Sequence, residues 1–237
     1  MGRGLRAGIV AVALLGLLTA GCAPTPPGAG LPGDVPSGAA SPPESARAPD
    51  AASVRLASEQ LGRLRVDRGV ASAAYDRDAF GPAWADIDRN GCDTRNDVLG
   101  RDLTHPGFRP GTHGCTVEAG TLVDPYDGAR VSFASGPDTS PLVQIDHVVS
   151  LSYAWRHGAD RWTAARRLAF ANDPRDLLAV TEAMNDAKGP LGPGQWLPPS
   201  ERGRCVFVVR WVGVLSAYAL TIHPGDRAAA SAVLIAC

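Results

Sequence analysis

Residues 23–51 hold prolines at 24, 26, 27, 32, 36, 42, 43 and 49, with Gly, Ser and Ala between them and no hydrophobic periodicity. Such a stretch cannot bury enough apolar surface to offset the entropy of ordering it, so folding is confined to about residues 52–237. The segment 22–51 reads as a flexible tether with a reach on the order of tens of ångströms. What remains is the length of one ordinary domain. With 45% apolar and 20% charged residues, wholesale disorder, collagen-like repeats and multi-span membrane architectures are excluded. No internal repeat is present.

Ahead of the tether, Arg3 and Arg6 precede an apolar run from Ala7 to Ala20 that closes on Gly21-Cys22. This is the layout of a secretion signal, residues 1–21, too short for a comfortable membrane span. Small residues ending at a cysteine resemble the lipobox of bacterial lipoproteins, which makes Cys22 the lipidated residue and the outer face of the cell membrane the expected location. Thr19 departs from the usual Leu of that box. The alternative is an ordinary signal peptide cut nearby, giving a fully secreted product. Removing residues 1–21 takes away two arginines and no acids, so the mature chain is slightly acidic and any basic surface must be local.

Four cysteines follow Cys22: Cys92, Cys115, Cys205 and Cys237. An even number in an exported chain points to disulfides. Three connectivities are possible; the sequence-local one, Cys92–Cys115 with Cys205–Cys237, is preferred because each bridge then staples one end of the domain. Without a Cys-x-x-Cys or a histidine at useful spacing, these thiols do not suggest zinc.

Periodicity gives mixed secondary structure. Apolar residues at 54, 56, 61, 64 and 66 predict a helix, and Asp160–Asn172 predicts another, stopped by Asp173-Pro174. Thr116–Val123 and Arg130–Phe133 flank a turn-rich Asp124–Gly128 and predict a hairpin. Leu142–Val149 and Leu177–Val180 predict strands, and Thr181 caps a helix running to Lys188-Gly189. Arg204–Tyr218 and Gly225–Ala236 predict two terminal helices, the first with a strand-compatible stretch at Val206–Val209. The fold class is α+β.

The chemistry concentrates between 144 and 188. Asp146-His147 lies in a strand, where adjacent side chains point to opposite faces unless the strand ends there. A carboxylate beside an imidazole supplies a hard metal ligand and a base for near-neutral pH. The order continues with Asn172-Asp173-Pro174-Arg175-Asp176-Leu177 and then Asn185-Asp186-Ala187-Lys188-Gly189. Read as strand, loop, strand, helix, this is a ββα unit with its polar residues facing one cleft.

On these residues the chain resembles the HNH (ββα-metal) endonucleases, in the branch seen in the C-terminal domain of GmrSD-type restriction enzymes and in exported actinobacterial proteins. The resemblance covers about 75–222 and takes in Tyr75-Asp76-Arg77, Phe80-Gly81, Trp84, Cys92–Asn96, Asp124-Pro125-Tyr126 and Trp196–Pro199. It implies a ββα-metal (His-Me finger) core with flanking helices and a β-hairpin. It makes His147 the general base and Asp146 and Asn185 the ligands of one divalent ion, Mg2+ or Mn2+, since both ligands offer only oxygen. Asp176 stands where the pattern has its middle Asn, and either braces the loop or has become an additional ligand. Pro190 also departs, in the loop after the helix. Lys188, the only lysine in the chain, suggests a compact ammonium placed on a phosphate.

Arg95, Arg161, Arg166, Arg167 and Arg175 are candidate phosphate contacts outside the scissile bond, or alternatively a solvated helix face. The expectation is an exported, metal-dependent endonuclease acting on nucleic acid, DNA rather than RNA, with low sequence specificity. Its contact with the membrane is through the lipid anchor alone. The alternative is a non-catalytic cell-envelope binding module with a degenerate site.

Overall fold

The computed structural model describes residues 43–237. The expected signal peptide, the lipidation site at Cys22 and most of the expected tether lie outside the described residues.

Packing begins earlier than residue 52. A short 3-10 turn at Glu44–Ala46 buries Ser45 and Ala46, the latter 0% exposed. A serine and an alanine between prolines are small enough to tuck under a helix even where no periodicity announces it. Helix α1, Ala51–Arg63, follows, with the Asp50 carboxylate accepting the Ser53 N–H at 2.7 Å. Helix α2, Thr94–Asp102, is capped in the same way by Asp93.

Three antiparallel strands then form one sheet in the order β1-β2-β3: Leu103–Phe108, Val117–Val123 and Arg130–Ala134. The pairing of β1 with β2 shifts between Thr104 and Gly107, on either side of Pro106, which has no N–H for the ladder. A second, two-stranded antiparallel sheet pairs β4, Val143–His147, with β5, Leu177–Thr181, so that Asp146 faces Leu178 and His147 faces Leu177. Between them run α3, Leu151–Arg156, and α4, Ala164–Ala171. Helix α5, Glu182–Lys188, leaves β5 directly, its first turn capped by the Thr181 hydroxyl. Helices α6, Glu201–Tyr218, and α7, Pro224–Ala236, complete the chain.

Both cores meet at the small sheet. Val143 and Ile145 of β4 and Leu177 and Ala179 of β5 pack with α2 and the three-stranded sheet. Leu178 and Val180, one residue out of phase, join the helical core around Phe207, Trp211 and Leu215 of α6. Strand β5 is therefore buried on both faces, which is why its sequence is a continuous apolar run rather than an alternation.

The disulfides are Cys92–Cys115, joining the approach to α2 with the approach to β2, and Cys205–Cys237, joining α6 to the end of α7. With sequence separations of 23 and 32 residues, each contributes about 3–4 kcal/mol in the chain-entropy picture.

Candidate functional site

Strand β4 ends at His147, and the chain turns into α3 through Val148 and Val149. Asp176 holds that turn from across the sheet: its carbonyl accepts the Val148 N–H and its Oδ1 accepts the Val149 N–H, both at 2.7 Å. The side chain is 0% exposed, and its Oδ2 has no partner among the described residues. Burial pushes the Asp176 carboxyl well above the ordinary carboxylate range, against the pull of the Val149 N–H and Lys188. An amide in this position keeps an oxygen to accept the Val149 N–H. Asp176→Asn is therefore expected to match or exceed the wild-type stability and activity. Asp176→Ala, which leaves the Val149 N–H unmatched, should cost about 1–3 kcal/mol in urea unfolding. An Asn variant that regains function only at raised Mg2+ or Mn2+ would instead mark position 176 as a ligand.

His147 and Asp146 diverge, as alternation along a strand requires. The imidazole Nε2 lies 2.8 Å from the Ala171 carbonyl, and the ring stacks on Trp84 at 6.3 Å and 17°. A carbonyl oxygen only accepts, so Nε2 carries the hydrogen and Nδ1 keeps a lone pair. Burial lowers the pKa to about 4, opposed by the Ala171 carbonyl and assisted by the charges of Arg77 and Lys188. The ring is neutral at neutral pH. It lines a cavity of about 270 Å³ with Arg77, Asp78, Gly81, Trp84 and Ala171.

Asp146 turns inward and is 3% exposed. Its Oδ1 accepts the Lys188 ammonium at 2.8 Å and its Oδ2 accepts the Tyr126 hydroxyl at 2.7 Å. Burial raises the Asp146 carboxyl, while Lys188 and Tyr126 hold it down. Lys188 is 0% exposed, and its ammonium also reaches the His147 carbonyl at 2.8 Å. Lys188 thus belongs to the interior, not to a phosphate at the surface. Long and flexible, it spans from the end of α5 to the end of β4 and neutralises the one charge the strand buries.

Asn185, on α5, donates its Nδ2 to Gln144 Oε1 at 2.6 Å, on the Asp146 side of β4. Among the described residues no group of three or more His, Cys, Asp or Glu is gathered to hold a metal ion. Nuclease domains of the HNH kind generally use a divalent ion, but the expected donor pair does not fit one here. Asp146 has both oxygens engaged and its charge balanced, which leaves Asn185 as the remaining member of the pair. Asp146, expected as a metal ligand, is placed here in a buried pair with Lys188.

The arginines are mostly structural. Arg95 donates to the Val143 carbonyl at 3.0 Å and fixes the start of β4. Arg167 binds the carbonyls of Ala79 and Trp162 at 2.8 and 2.6 Å. Arg166 binds the Tyr218 carbonyl at 2.7 Å and covers Trp162. Arg175 pairs with Asp173 at 2.5 Å. Arg161 is exposed and only loosely paired with Asp160, at 3.8 Å. Arg175, although paired, is as exposed as Arg161, so both present guanidinium surface to solvent.

Three contributors were missed in the sequence. Asp124 accepts the Thr181 and Tyr126 N–H groups at 2.6 and 2.7 Å, tying the hairpin loop to the junction of β5 and α5 and aiming Tyr126 at Asp146. Trp84 and Arg77 reach His147 from the irregular segment before α2. The signals were Asp124-Pro125-Tyr126 and Tyr75–Trp84, both recognisable as part of the resemblance but without an assigned role.

Residues 93–221 match the profile of the GmrSD restriction endonucleases, C-terminal domain. The chain is also 37% identical over 191 residues to an uncharacterized secreted protein of Arthroderma benhamiae, an alignment covering 80% of this chain and 88% of that protein. No solved structure matches.

Proposed function

Because the chain belongs to the family of the GmrSD restriction endonuclease C-terminal domains, which are nuclease-like, we propose that it is an exported nuclease that hydrolyses phosphodiester bonds with His147 as the general base. The observation that carries this reading is the tautomer of His147. With Nε2 held by the Ala171 carbonyl, a neutral Nδ1 is left to accept a proton at the wall of a cavity. In this reading water attacks phosphorus as Nδ1 takes its proton. The P–O bond to the leaving oxygen breaks, and that oxygen is protonated by solvent. Arg77, exposed and in no ion pair among the described residues, is the cation that faces the phosphate. Trp84 fixes the plane of the imidazole, and the Asp176 clamp fixes the turn that follows it.

Export agrees with the secreted relative and with two disulfides. Double-stranded DNA with little sequence preference is the proposed substrate, and Cys22 the proposed anchor. The engagement of Asp146 by Lys188 and Tyr126 favours the second reading, a binding module that has lost catalysis. Incubation of the mature chain with supercoiled plasmid and with RNA, in Mg2+ and in Mn2+, separates the two. Nicking that disappears in His147→Ala supports the nuclease, and binding without any cleavage supports the module.

A further inference from the structure

A second constellation, which the proposed hydrolysis does not use, lies just ahead of α2. Residues 86–97 read Asp-Ile-Asp-Arg-Asn-Gly-Cys-Asp-Thr-Arg-Asn-Asp. In twelve-residue Ca2+ loops, positions 1, 3, 5 and 12 supply side-chain oxygens, position 7 a backbone carbonyl, and position 6 is a glycine that makes the sharp turn. Here those places fall on Asp86, Asp88, Asn90, Asp97, Cys92 and Gly91. Gly91 has φ +90°, and Asp97 sits in the first turn of α2, so the loop runs into a helix as such loops do.

The loop is already wound around its first residue. Asp86 accepts the N–H groups of Asn90 and Gly91 at 3.1 and 3.0 Å. The Asn90 amide nitrogen stands between two carboxylates, 3.1 Å from Asp88 Oδ2 and 3.2 Å from Asp97 Oδ1. That amide keeps the carboxylates from meeting at one point and supplies the partial positive charge between them.

An independent observation comes from another part of the chain. Asp88, Asn90, Thr94 and Asp97 line a cavity of about 230 Å³ whose wall is completed by the Asn172–Pro174 loop. Asn172 is 0% exposed; its Nδ2 is bound to the Leu168 carbonyl at 3.0 Å, and its Oδ1 has no partner among the described residues. Asn172 shares the cavity with four oxygen-bearing side chains of the loop, and its buried oxygen without a donor calls for a cation or its water. Arg101 borders the same cavity, but its guanidinium is bound to Asp102 and to the carbonyls of Pro174 and Leu177.

We propose that the Asp86–Asp97 loop is a Ca2+ site, ligated by Asp86, Asp88, Asn90, the Cys92 carbonyl and Asp97, with Asn172 receiving a water of the ion. All donors are hard oxygens, as Ca2+ prefers. On binding, the Asn90 amide turns over to present its oxygen. Aspartate at position 12, shorter than the usual bidentate glutamate, makes the site weak, with a Kd on the order of 10⁻⁴–10⁻³ M, the range of extracellular Ca2+ modules. The loop closes on Trp84, because Thr94 donates its N–H to the Trp84 carbonyl at 3.4 Å and its hydroxyl to the Ala85 carbonyl at 2.5 Å. Ca2+ therefore steadies the tryptophan that stacks on His147. This last consequence rests on the nuclease reading, whereas binding itself does not.

Calorimetric titration of the mature chain with CaCl2, alongside thermal melting with and without about 10 mM Ca2+, tests the site without any assay of catalysis. One site in that range and a rise in Tm are expected. Asp88→Asn/Asp97→Asn, which keeps shape and removes charge, should weaken binding at least tenfold and abolish the shift. His147→Ala should leave both intact, so a failure of the nuclease reading is distinguishable from a failure here. Trp84→Phe should remove the Ca2+-dependent change in tryptophan fluorescence. No heat and no Tm shift in the wild type, or undiminished binding by the folded double variant, would overturn the proposal.

Discussion

Replacing His147 by alanine is expected to lower kcat/KM for phosphodiester cleavage by about 10²–10⁴-fold, the usual contribution of a positioned base. Folding should be nearly unaffected. The imidazole is at the end of β4 and its one hydrogen bond goes to a backbone carbonyl beside a cavity, where water can replace it. The buried hydrophobic residues of β4, Val143 and Ile145, are untouched. Plasmid cleavage measured together with urea unfolding separates the two effects. A variant that cleaves at near-normal rate would remove His147 from the chemistry.

The second large effect concerns Lys188. Lys188→Met strips the cation from Asp146, a carboxylate 3% exposed, and leaves the His147 carbonyl without its ammonium donor. Breaking a buried ion pair from one side costs about 3–5 kcal/mol, because the remaining charge stays desolvated. Removing both charges is far cheaper, so Lys188→Met/Asp146→Leu should recover most of that loss even though the Tyr126 hydroxyl then loses its acceptor. Chemical denaturation of the four members of this double-mutant cycle gives the coupling directly. A single Lys188→Met change worth less than about 1 kcal/mol would mean that the pair is not closed in solution.

The parts of this architecture that were legible are those written locally. The hairpin showed in its turn residues, β5 in a short apolar run, and α5 in the Thr181 cap with glycine at its end. The disulfides followed from stapling each end of the domain. Helix α2 escaped because Thr-Arg-Asn-Asp-Val-Leu-Gly-Arg-Asp offers only two large apolar residues; its Asp93 cap and its packing under β2 and β5 hold it. Strand β1 escaped because it contains Pro106 and Gly107, and the ladder from β2 supplies what its own propensity lacks.

In the site, alternation separated Asp146 from His147, but nothing local revealed where Asp146 would go. Its partners are Tyr126 and Lys188, sequence separations of 20 and 42 residues away. A lysine alone among arginines was a real signal. Its meaning was a compact interior charge rather than a phosphate contact. Composition does not distinguish a guanidinium in water from one bound to backbone carbonyls, and within the arginine cluster Arg95, Arg166 and Arg167 are of the second kind. Trp84 and Arg77 reach the site from irregular backbone, where no periodicity exists to read.

If a neutral imidazole at His147 accepts the proton of the attacking water, the pH dependence of kcat/KM carries its signature. That quantity reports ionisations of the free protein, and the pKa of His147 is lowered to about 4. Above this value Nδ1 is free to accept, and below it the ring is protonated and cannot. Cleavage of supercoiled plasmid is therefore predicted to be flat, as far as this group is concerned, from neutral pH down to about pH 5, and to fall tenfold per unit only below about pH 4 while circular dichroism shows the fold intact. An acid limb near 6.5, the ordinary value for histidine, or a profile unchanged in His147→Ala, would contradict the account.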